Sequence, residues 1–420
     1  MSSEVLLECK LAREYTLENI AGSLSYLIVK SMPDPAISFS LLPLNLSIVI
    51  DVSASMKGNK IKYAKEASSY IIDSLSPDDN VSVVIFSDAA KTIVPSTKVT
   101  DKDAIIKAIS KIGPVSGTRM YYGIEKAIDE MNKVTDRDNI NIMILLTDGE
   151  TDGEDICLDI VRRERDKGIA ISTFGIGETY NELLLKSISD VTLGKIYHLQ
   201  SAEMIKEYFE NEVSTARATV ITNTSLTLIL ENDVKLDDIH RILPSTARLD
   251  PQTGANRGSY TVNLNNLRMN EATYVGVKMI LPARANGENI GGLIYFKYDV
   301  PTFGTYGNSR ECRFNVNYTN DRSLCNNINR EVISYFNQLD VENLIDKAIN
   351  ETKAGNISEA TKVFSQAQML TQKIGNSALT QNINRATVEL NEHGKISADA
   401  IKTMRVGASH TVKLDDNLSM

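Results

Sequence analysis

Two patterns of hydrophobic residues, one typical of buried strands and one of amphipathic helices, alternate through the middle of the chain. The stretch Leu44-Asn-Leu-Ser-Ile-Val-Ile-Asp51 is an apolar run rich in β-branched residues, typical of a buried strand. Lys60 to Leu75 then spaces its apolar side chains three and four positions apart, as an amphipathic helix does. The predicted strands are 44–51, 81–86, 140–146, 169–174 and 196–199, with 92–94 as an edge hairpin, and the predicted helices are 60–75, 103–112, 120–134, 156–167, 181–189 and 202–216. This alternation predicts a parallel sheet wrapped by helices on both faces.

The flanking regions follow a period of two. Apolar and polar residues alternate from Val5 to Leu11 and again at several places between residues 220 and 320, with Asn, Gly and Pro between the runs. Two or three N-terminal strands cannot bury a core alone, so we expect them to pair with the later strands. The predicted fold class is therefore α/β, with a doubly wound, mainly parallel sheet at 45–219 inserted in an antiparallel β-sandwich formed by 1–44 and 220–320.

Residues 321–420 have a helical period. One apolar face runs from Val341 to Ile349 and a second from Ala360 to Leu370, separated by a turn at Lys353-Ala-Gly-Asn. This predicts a helical hairpin, too short to be a repeat array, that packs against the sandwich. The tail from Val406 is expected to be extended or frayed.

Oxygen-bearing side chains follow two of the predicted strands. Asp51, Ser53 and Ser55 come at alternate positions where the first buried strand ends, and Asp148 with Gly149 ends the strand at 140–146. Between them, a glycine-rich turn places Thr118 at the start of a helix. Because the carboxyl ends of parallel strands share one edge of the sheet, we expect these side chains to meet there.

This set resembles the metal-ion-dependent adhesion site of von Willebrand factor type A domains, whose pattern is Asp-x-Ser-x-Ser with a distant Thr and a distant Asp. The resemblance implies a Rossmann-like domain in an intracellular multi-domain protein, for which insertion in a β-sandwich is a known arrangement. It implies that Ser53, Ser55 and Thr118 are direct or near-direct ligands. Asp51 and Asp148 would act mainly through bound water and hydrogen bonds.

The donor chemistry indicates the cation and its ligand. Neutral hydroxyls and waters leave much of a dication's charge uncompensated, which favours an incoming carboxylate. Oxygen donors in a compact octahedral shell suit Mg²⁺ or Mn²⁺, with Ca²⁺ a poorer fit. The expected partner is a protein that presents an Asp or Glu. Two other interpretations are weaker: Asp51-x-Ser-x-Ser as a helix N-cap, and the acids from Asp148 to Asp159 as a calcium loop. We expect those acids to shape the rim of the site instead.

Composition limits the expected class of partner, the expected compartment and the expected state of the cysteines. A net charge of -9 without a basic cluster argues against a nucleic-acid partner. The first residues lack the basic region and apolar core typical of a signal peptide, and no apolar run approaches the length of a membrane span. We therefore expect a cytoplasmic protein. The cysteines Cys9, Cys157, Cys312 and Cys325 are scattered, so we expect free, mostly buried thiols.

Three functions of different classes follow from these observations. The first is a non-enzymatic, metal-dependent protein-binding module or scaffold. The second is a metal-dependent hydrolase of a phosphate or ester, although the four histidines lie far from the metal stretches in sequence. The third is a scaffold that works without metal and keeps a vestigial site.

Overall fold

A computed structural model describes residues 4–37, 41–134, 138–149, 151–177, 179–199, 202–254 and 256–411. Contacts divide the chain into two compact units. The α/β unit comprises Ser38–Thr222 with Val300–Thr305, and the sandwich unit comprises Met1–Ile37, Asn223–Asp299 and Tyr306–Met420. Three strands of the sandwich unit come first: β1 (Val5–Leu11), β2 (Tyr15–Leu17) and β3 (Ser23–Pro33).

The α/β unit alternates strands with helices, as its hydrophobic pattern predicts. Its strands are β4 (Leu44–Asp51), β5 (Asn80–Phe86), β6 (Ala90–Lys98), β7 (Ile140–Thr147), β8 (Ala170–Ile176) and β9 (Ile196–Leu199). Its helices are α1 (Asn59–Ser74), α2 (Lys102–Ser110), α3 (Met120–Met131), α4 (Glu154–Glu164), α5 (Glu182–Thr192) and α6 (Ala202–Arg217). All eight residues of β4 are buried, which explains its uninterrupted apolar character.

The strand order of this sheet positions the candidate site. The order is β6-β5-β4-β7-β8-β9, in which β6 pairs antiparallel with β5 and the other pairs are parallel. After β4 the chain first builds the β5 side and later adds β7 on the opposite side. Open α/β sheets bind ligands at such a reversal, beyond the carboxyl ends of the strands. Asp51 and Asp148 follow the two strands that flank it.

The sandwich unit continues with β10 (Thr219–Leu230), β11 (Lys235–Leu243), β12 (Ala247–Arg248), β13 (Gln252–Thr253), β14 (Ser259–Arg268), β15 (Thr273–Leu281), β16 (Gly287–Val300) and β17 (Thr305–Thr319). One sheet has the order β1-β3-β15-β11-β12 and the other β13-β14-β10-β16-β17-β2. The N-terminal strand β3 lies between β1 and β15, antiparallel to both. The predicted fold class, a mainly parallel α/β sheet together with antiparallel sheets and C-terminal helices, is confirmed.

The alternation of apolar and polar residues between 220 and 320 marked β10, β14, β15 and β17, but not β11 or β16, nor the short β12 and β13. Charged residues interrupt β11, whose pairing with β15 contains register shifts, and the adjacent glycines Gly291 and Gly292 weaken the apolar signal of β16. Those glycines have a packing role, because a Cβ at Gly291 would lie 2.3 Å from the Phe314 ring. In a sequence, two adjacent glycines are usually interpreted as a turn. Here they lie within a strand and leave room for an aromatic side chain.

The C-terminal region contains α7 (Arg322–Cys325), α8 (Arg330–Lys353), α9 (Ile357–Lys373), α10 (Ser377–His393) and α11 (Ala398–Ser409). Helix α8 lies against the sheet, where Tyr335 and Tyr274 have ring centroids 4.3 Å apart. The prediction of an extended tail from Val406 was wrong up to Ser409, because α11 buries Met404 and Ala408 in the helical core. None of the helices in the described ranges is both long and apolar enough to cross a membrane.

The expectation of four free thiols was also wrong. Cys9 in β1 and Cys312 in β17 form a disulfide across 303 positions of sequence, whereas Cys157 and Cys325 are free. Both bonded cysteines lie within the sandwich unit. Their pairing depends on which strands become neighbours, and cysteine spacing carries no information on that.

Candidate metal centre

Asp51 is the buried anchor of the candidate site. Its Oδ1 accepts a hydrogen bond of 2.7 Å from the backbone N–H of Ser53, and its Oδ2 accepts one of 2.7 Å from Thr147 Oγ1. Burial raises the pKa of the Asp51 carboxyl, against the lowering effect of the Thr147 and Ser53 hydrogen bonds, and the nearby charge of Asp148 adds to the rise. A cation beside this carboxylate would favour its ionised form.

A chain of oxygen atoms links the end of β4 to the end of β7. Ser53 Oγ lies 2.9 Å from Ser55 Oγ, and Ser55 Oγ donates a 2.8 Å hydrogen bond to Asp148 Oδ1. Ser53 and Asp148 are buried, whereas Ser55 is exposed, so the cluster is open to solvent on one side. The single 3-10 turn Ala54–Met56 makes this possible, because it bends the chain over the sheet edge just after Asp51.

The oxygens of Ser53, Ser55 and Asp148 form one continuous set at the sheet edge. Their separations of 2.9 and 2.8 Å are ordinary hydrogen-bond lengths, so the type of donor, and not the spacing, indicates the cation. The donors are hydroxyl and carboxylate oxygens, which suit hard cations. Among the described residues, no group of three or more His, Cys, Asp or Glu side chains offers a different kind of metal site.

Lys60 contributes a positive charge to the same cluster. It is the second residue of α1, and its Nζ donates a hydrogen bond of 2.5 Å to Asp148 Oδ2. The Asp148 side chain is fully buried while that of Lys60 is 33% exposed. The ammonium group lies beside the loop that follows β8, since a Cβ at Gly177 would come within 3.9 Å of it. Asp148 therefore has one oxygen on Ser55 and the other on Lys60.

The loop between α2 and α3 crosses the ends of β4 and β5. The backbone N–H of Val115 donates to the Val52 carbonyl at 2.5 Å, and that of Arg119 donates to the Ser87 carbonyl at 2.8 Å. These bonds hold the loop over the sheet edge at both of its ends. The predicted site residue Thr118 lies within it.

Gly117 and Thr118 fit this loop for different reasons. Gly117 has a φ of +92°, a conformation that favours glycine, and a Cβ there would also force the exposed Asp88 side chain to move. The Thr118 carbonyl accepts hydrogen bonds of 3.0 Å from Thr151 Oγ1 and 3.2 Å from the backbone N–H of Asp152. Thr118 is thus attached through its main chain to the segment that follows Asp148. The other four predicted site residues are joined by hydrogen bonds of their side chains.

Sequence reasoning gave no role to three residues that support the cluster. Thr147 holds Asp51, Lys60 holds Asp148, and Thr179 Oγ1 donates a 2.5 Å hydrogen bond to the Asp148 carbonyl. Thr147 immediately precedes Asp148 in sequence, and that position was the available signal. Lys60 and Thr179 had none, because only the folding of α1 and of the loop after β8 brings them to Asp148.

In the stretch Phe174-Gly-Ile-Gly177, at the end of β8, the glycine Gly175 has a packing role. A Cβ at Gly175 would lie within 2.4 Å of the Tyr180 ring, so the glycine makes room for that side chain. The hydroxyl of Tyr180 lies 2.8 Å from Nδ1 of the buried His198. His198, distant from the metal stretches in sequence, is thus held by an aromatic partner.

The acids after Asp148 are less regular than a calcium loop requires. Asp152, Glu154 and Asp155 are exposed, and the last two begin α4, where negative charge stabilises a helix N-terminus. Glu150 lies outside the described residues. Their role at the rim of the site stays a prediction.

Comparisons with known proteins bear on the family and the fold of the α/β unit. The family model described as "von Willebrand factor type A domain" matches residues 45–211. The uncharacterized protein sll0103 of Synechocystis sp. is 28% identical over 269 residues, 63% of each chain. Inter-alpha-trypsin inhibitor heavy chain H2 of Mus musculus is 32% identical over 190 residues, which are 41% of this chain and 20% of that protein. The match therefore spans less than two thirds of the length of either relative.

Solved structures share the whole fold. A von Willebrand factor type A protein from Catenulispora acidiphila has a TM-score of 0.84 at 18% identity, covering 97% of both chains. The ArnB paralog VWA2 from Sulfolobus acidocaldarius has a TM-score of 0.60 at 17% identity, covering 96% of this chain and 98% of that one. At these identities the likeness concerns the fold. The family match shows that residues 45–211 form a von Willebrand factor type A domain, and the strand order and the structural neighbours agree with it in fold.

Proposed function

We propose that the protein is a non-enzymatic interaction module that captures an acidic residue of a partner protein through a divalent cation. Domains of this type are protein-interaction modules and commonly bind a divalent metal. The finer assignment places the cation, Mg²⁺ or Mn²⁺, at Asp51, Ser53, Ser55, Thr118 and Asp148. The observation that carries it is the continuous set of oxygen contacts from Ser53 through Ser55 to Asp148, whose hydroxyl and carboxylate oxygens are ligands that hard divalent cations prefer.

The charge of the cluster supports an acidic partner. Two carboxylates and several neutral hydroxyls surround the expected cation, and Lys60 already neutralises part of Asp148. A bound dication would keep net positive charge on the solvent side, where Ser55 is exposed. A carboxylate is the protein ligand that best matches that charge and the oxygen preference of the metal. In this role the cation binds and orients the partner, and the chain's own residues hold the cation.

Metal binding is tested first, by calorimetric titration of the full chain with MnCl₂. Wild-type protein should bind one Mn²⁺ per chain at micromolar to millimolar level, because few charges face the metal and water completes its shell. Asp51→Asn and Asp148→Asn should abolish the binding. Asp78→Asn, which removes an exposed acid just before β5 and outside the cluster, serves as the control and should bind as wild type does. Equal binding by all four proteins would refute the site.

Partner capture is tested by affinity pull-down from a cell extract in Mg²⁺ and in EDTA. Proteins retained by wild type and Asp78→Asn in Mg²⁺ should be lost in EDTA and on the Asp51→Asn protein. The same proteins retained under all conditions would indicate a scaffold that works without metal. Turnover of generic phosphoesters would instead favour the hydrolase. A hydrolase needs a general base that can reach the substrate, and the buried pair of Tyr180 and His198 does not provide an exposed one.

The compartment is a separate question. Cytoplasmic placement stays a prediction, and the Cys9–Cys312 disulfide weighs against it, because such bonds persist mainly in oxidising compartments. Differential alkylation of the protein taken directly from its host would decide. Two blocked and two free thiols would support an oxidising compartment, and four free thiols would support the cytoplasm.

A further inference from the structure

Lys60 stands where local structure does not favour a cation. It is the second residue of α1, a helix with Gly58 as its N-cap, no capping hydrogen bond from a side chain and no acidic residue in its first turn. The N-terminus of a helix carries partial positive charge and is usually complemented by Asp or Glu. A lysine there is locally unfavourable. Residues that break a local rule are expected where function or tertiary structure compensates.

The contact with Asp148 compensates for the unfavourable position of Lys60 at the helix N-terminus. Lys60 Nζ lies 2.5 Å from Asp148 Oδ2, while Oδ1 of the same carboxylate accepts the hydrogen bond from Ser55. One carboxylate therefore serves both the internal ammonium group and the set of oxygens that would hold a cation. Lys60 lies in the first turn of α1, so this contact also brings the carboxylate close to the helix end that carries partial positive charge.

We propose that Lys60 is a positioning residue of the metal centre: a fixed internal cation that holds Asp148 and keeps the bound metal short of negative charge. The inference rests on the proposed function. Asp51 and Asp148 together carry two negative charges, and Lys60 offsets one of them. A dication then leaves one net positive charge, which a single carboxylate from a partner neutralises. Without Lys60 the site would already be neutral once loaded, so it would hold metal more tightly and attract a carboxylate less.

This role predicts a gain that a purely structural salt bridge would not give. Replacement of Lys60 by Met should raise the Mn²⁺ affinity of the full chain roughly tenfold, since one unit charge a few ångströms from the metal is removed. Lys60→Arg keeps the charge and should stay close to wild type. Lys57→Met is the matched control, because Lys57 is an exposed lysine in the same turn region three positions earlier. It should change the affinity little.

A second measurement tests how strongly the bound metal attracts an external carboxylate. Sodium acetate stands in for an acidic side chain, and by linkage its binding to the metal should raise the apparent Mn²⁺ affinity. Titrations at constant ionic strength, with acetate or chloride, should show this rise in wild type, Lys60→Arg and Lys57→Met. In Lys60→Met the rise should be smaller.

The outcomes separate this inference from the function it rests on. If wild type binds Mn²⁺ and Asp51→Asn does not, but Lys60→Met binds no tighter than Lys57→Met, the role of Lys60 is refuted and the metal site stands. If Lys60→Met binds more weakly while Lys60→Arg is normal, Lys60 supports the fold of the site and the proposal is also wrong. If wild type binds no Mn²⁺, the proposed function fails and this inference fails with it.

Discussion

Thr147 donates a hydrogen bond of 2.7 Å to Oδ2 of Asp51, so that the ends of β7 and β4 are joined by side chains as well as by the backbone ladder. Both residues are fully buried. The hydroxyl helps to keep the Asp51 carboxylate in its ionised form and fixes its orientation towards Ser53 and the candidate metal position. Thr147 therefore acts on the metal centre through Asp51.

Replacement of Thr147 by Val should weaken Mn²⁺ binding on the order of tenfold, a typical effect of losing a residue that orients a ligand. Valine preserves the shape of the side chain but leaves one Asp51 oxygen without its donor. Thr147→Ser keeps the hydroxyl and is the control, with binding close to wild type. Calorimetry on the three proteins measures the effect, and equal affinities would contradict the role assigned to Thr147.

Asp79 should make the α/β unit sensitive to acid. Burial opposes ionisation, but hydrogen bonds from the backbone of Leu44 and Ser76, and then the Arg217 guanidinium, outweigh it and lower the pKa of the carboxyl. Because the folded state has the lower pKa, ionised Asp79 stabilises the fold above the unfolded value of about 3.9, and this contribution is lost as the pH falls through the folded value.

Asp79→Asn should cost about 3 kcal/mol at pH 7, since it leaves Arg217 partly buried without its carboxylate. At pH 3 the difference between variant and wild type should be clearly smaller. The chain contains no tryptophan, so hydrogen exchange of the β4 amides is a better probe than intrinsic fluorescence. Asp78→Asn, which changes the neighbouring exposed aspartate, is the control. A difference independent of pH would exclude the charged form of Asp79 as the cause.

The disulfide should stabilise the sandwich unit. Double replacement of Cys9 and Cys312 by Ser should lower its stability by about 2–5 kcal/mol, because the unfolded chain gains freedom once the cross-link is gone. Cys325→Ser, at a free thiol, is the control. Denaturant melts followed by circular dichroism measure the change. Identical melts with and without reductant would contradict the prediction.

The two free thiols should differ in reactivity. Burial raises the pKa of Cys157 to about 12, so almost none of it is thiolate at neutral pH. Native protein should therefore react quickly with iodoacetamide at Cys325, and at Cys157 only after unfolding. Mass spectrometry of alkylated peptides measures both rates. Fast native labelling of Cys157 would show that its surroundings are open.

The fragment 41–222 should fold alone. One hydrophobic cluster within it extends from Leu42 to Ala216, and the contact division separates Ser38–Thr222 from most of the remaining chain. The fragment should give cooperative thermal unfolding and bind Mn²⁺ as the full chain does, with its Asp51→Asn version as the control for binding. An insoluble fragment alongside a stable full chain would contradict the independence of the unit.

The sequence by itself determined the alternation of strands and helices in the α/β unit and the identity of the candidate ligands. Strand β4 is buried at every position, so its hydrophobic run was continuous, and its end was marked by Asp51. Polar oxygen donors at strand ends are a local signal, and parallel pairing brings such ends together wherever the sheet forms. Asp51, Ser53, Ser55 and Asp148 could therefore be chosen before the strand order was known.

The tertiary structure alone decided the partners of those residues. Lys60 meets Asp148 across 88 positions, Thr147 meets Asp51 across 96, and Cys9 meets Cys312 across 303. Each contact depends on which strand lies beside which, and on the direction in which a helix begins. Hydrophobic periodicity reports the buried face of an element but not its neighbours, because many sheet orders bury the same faces.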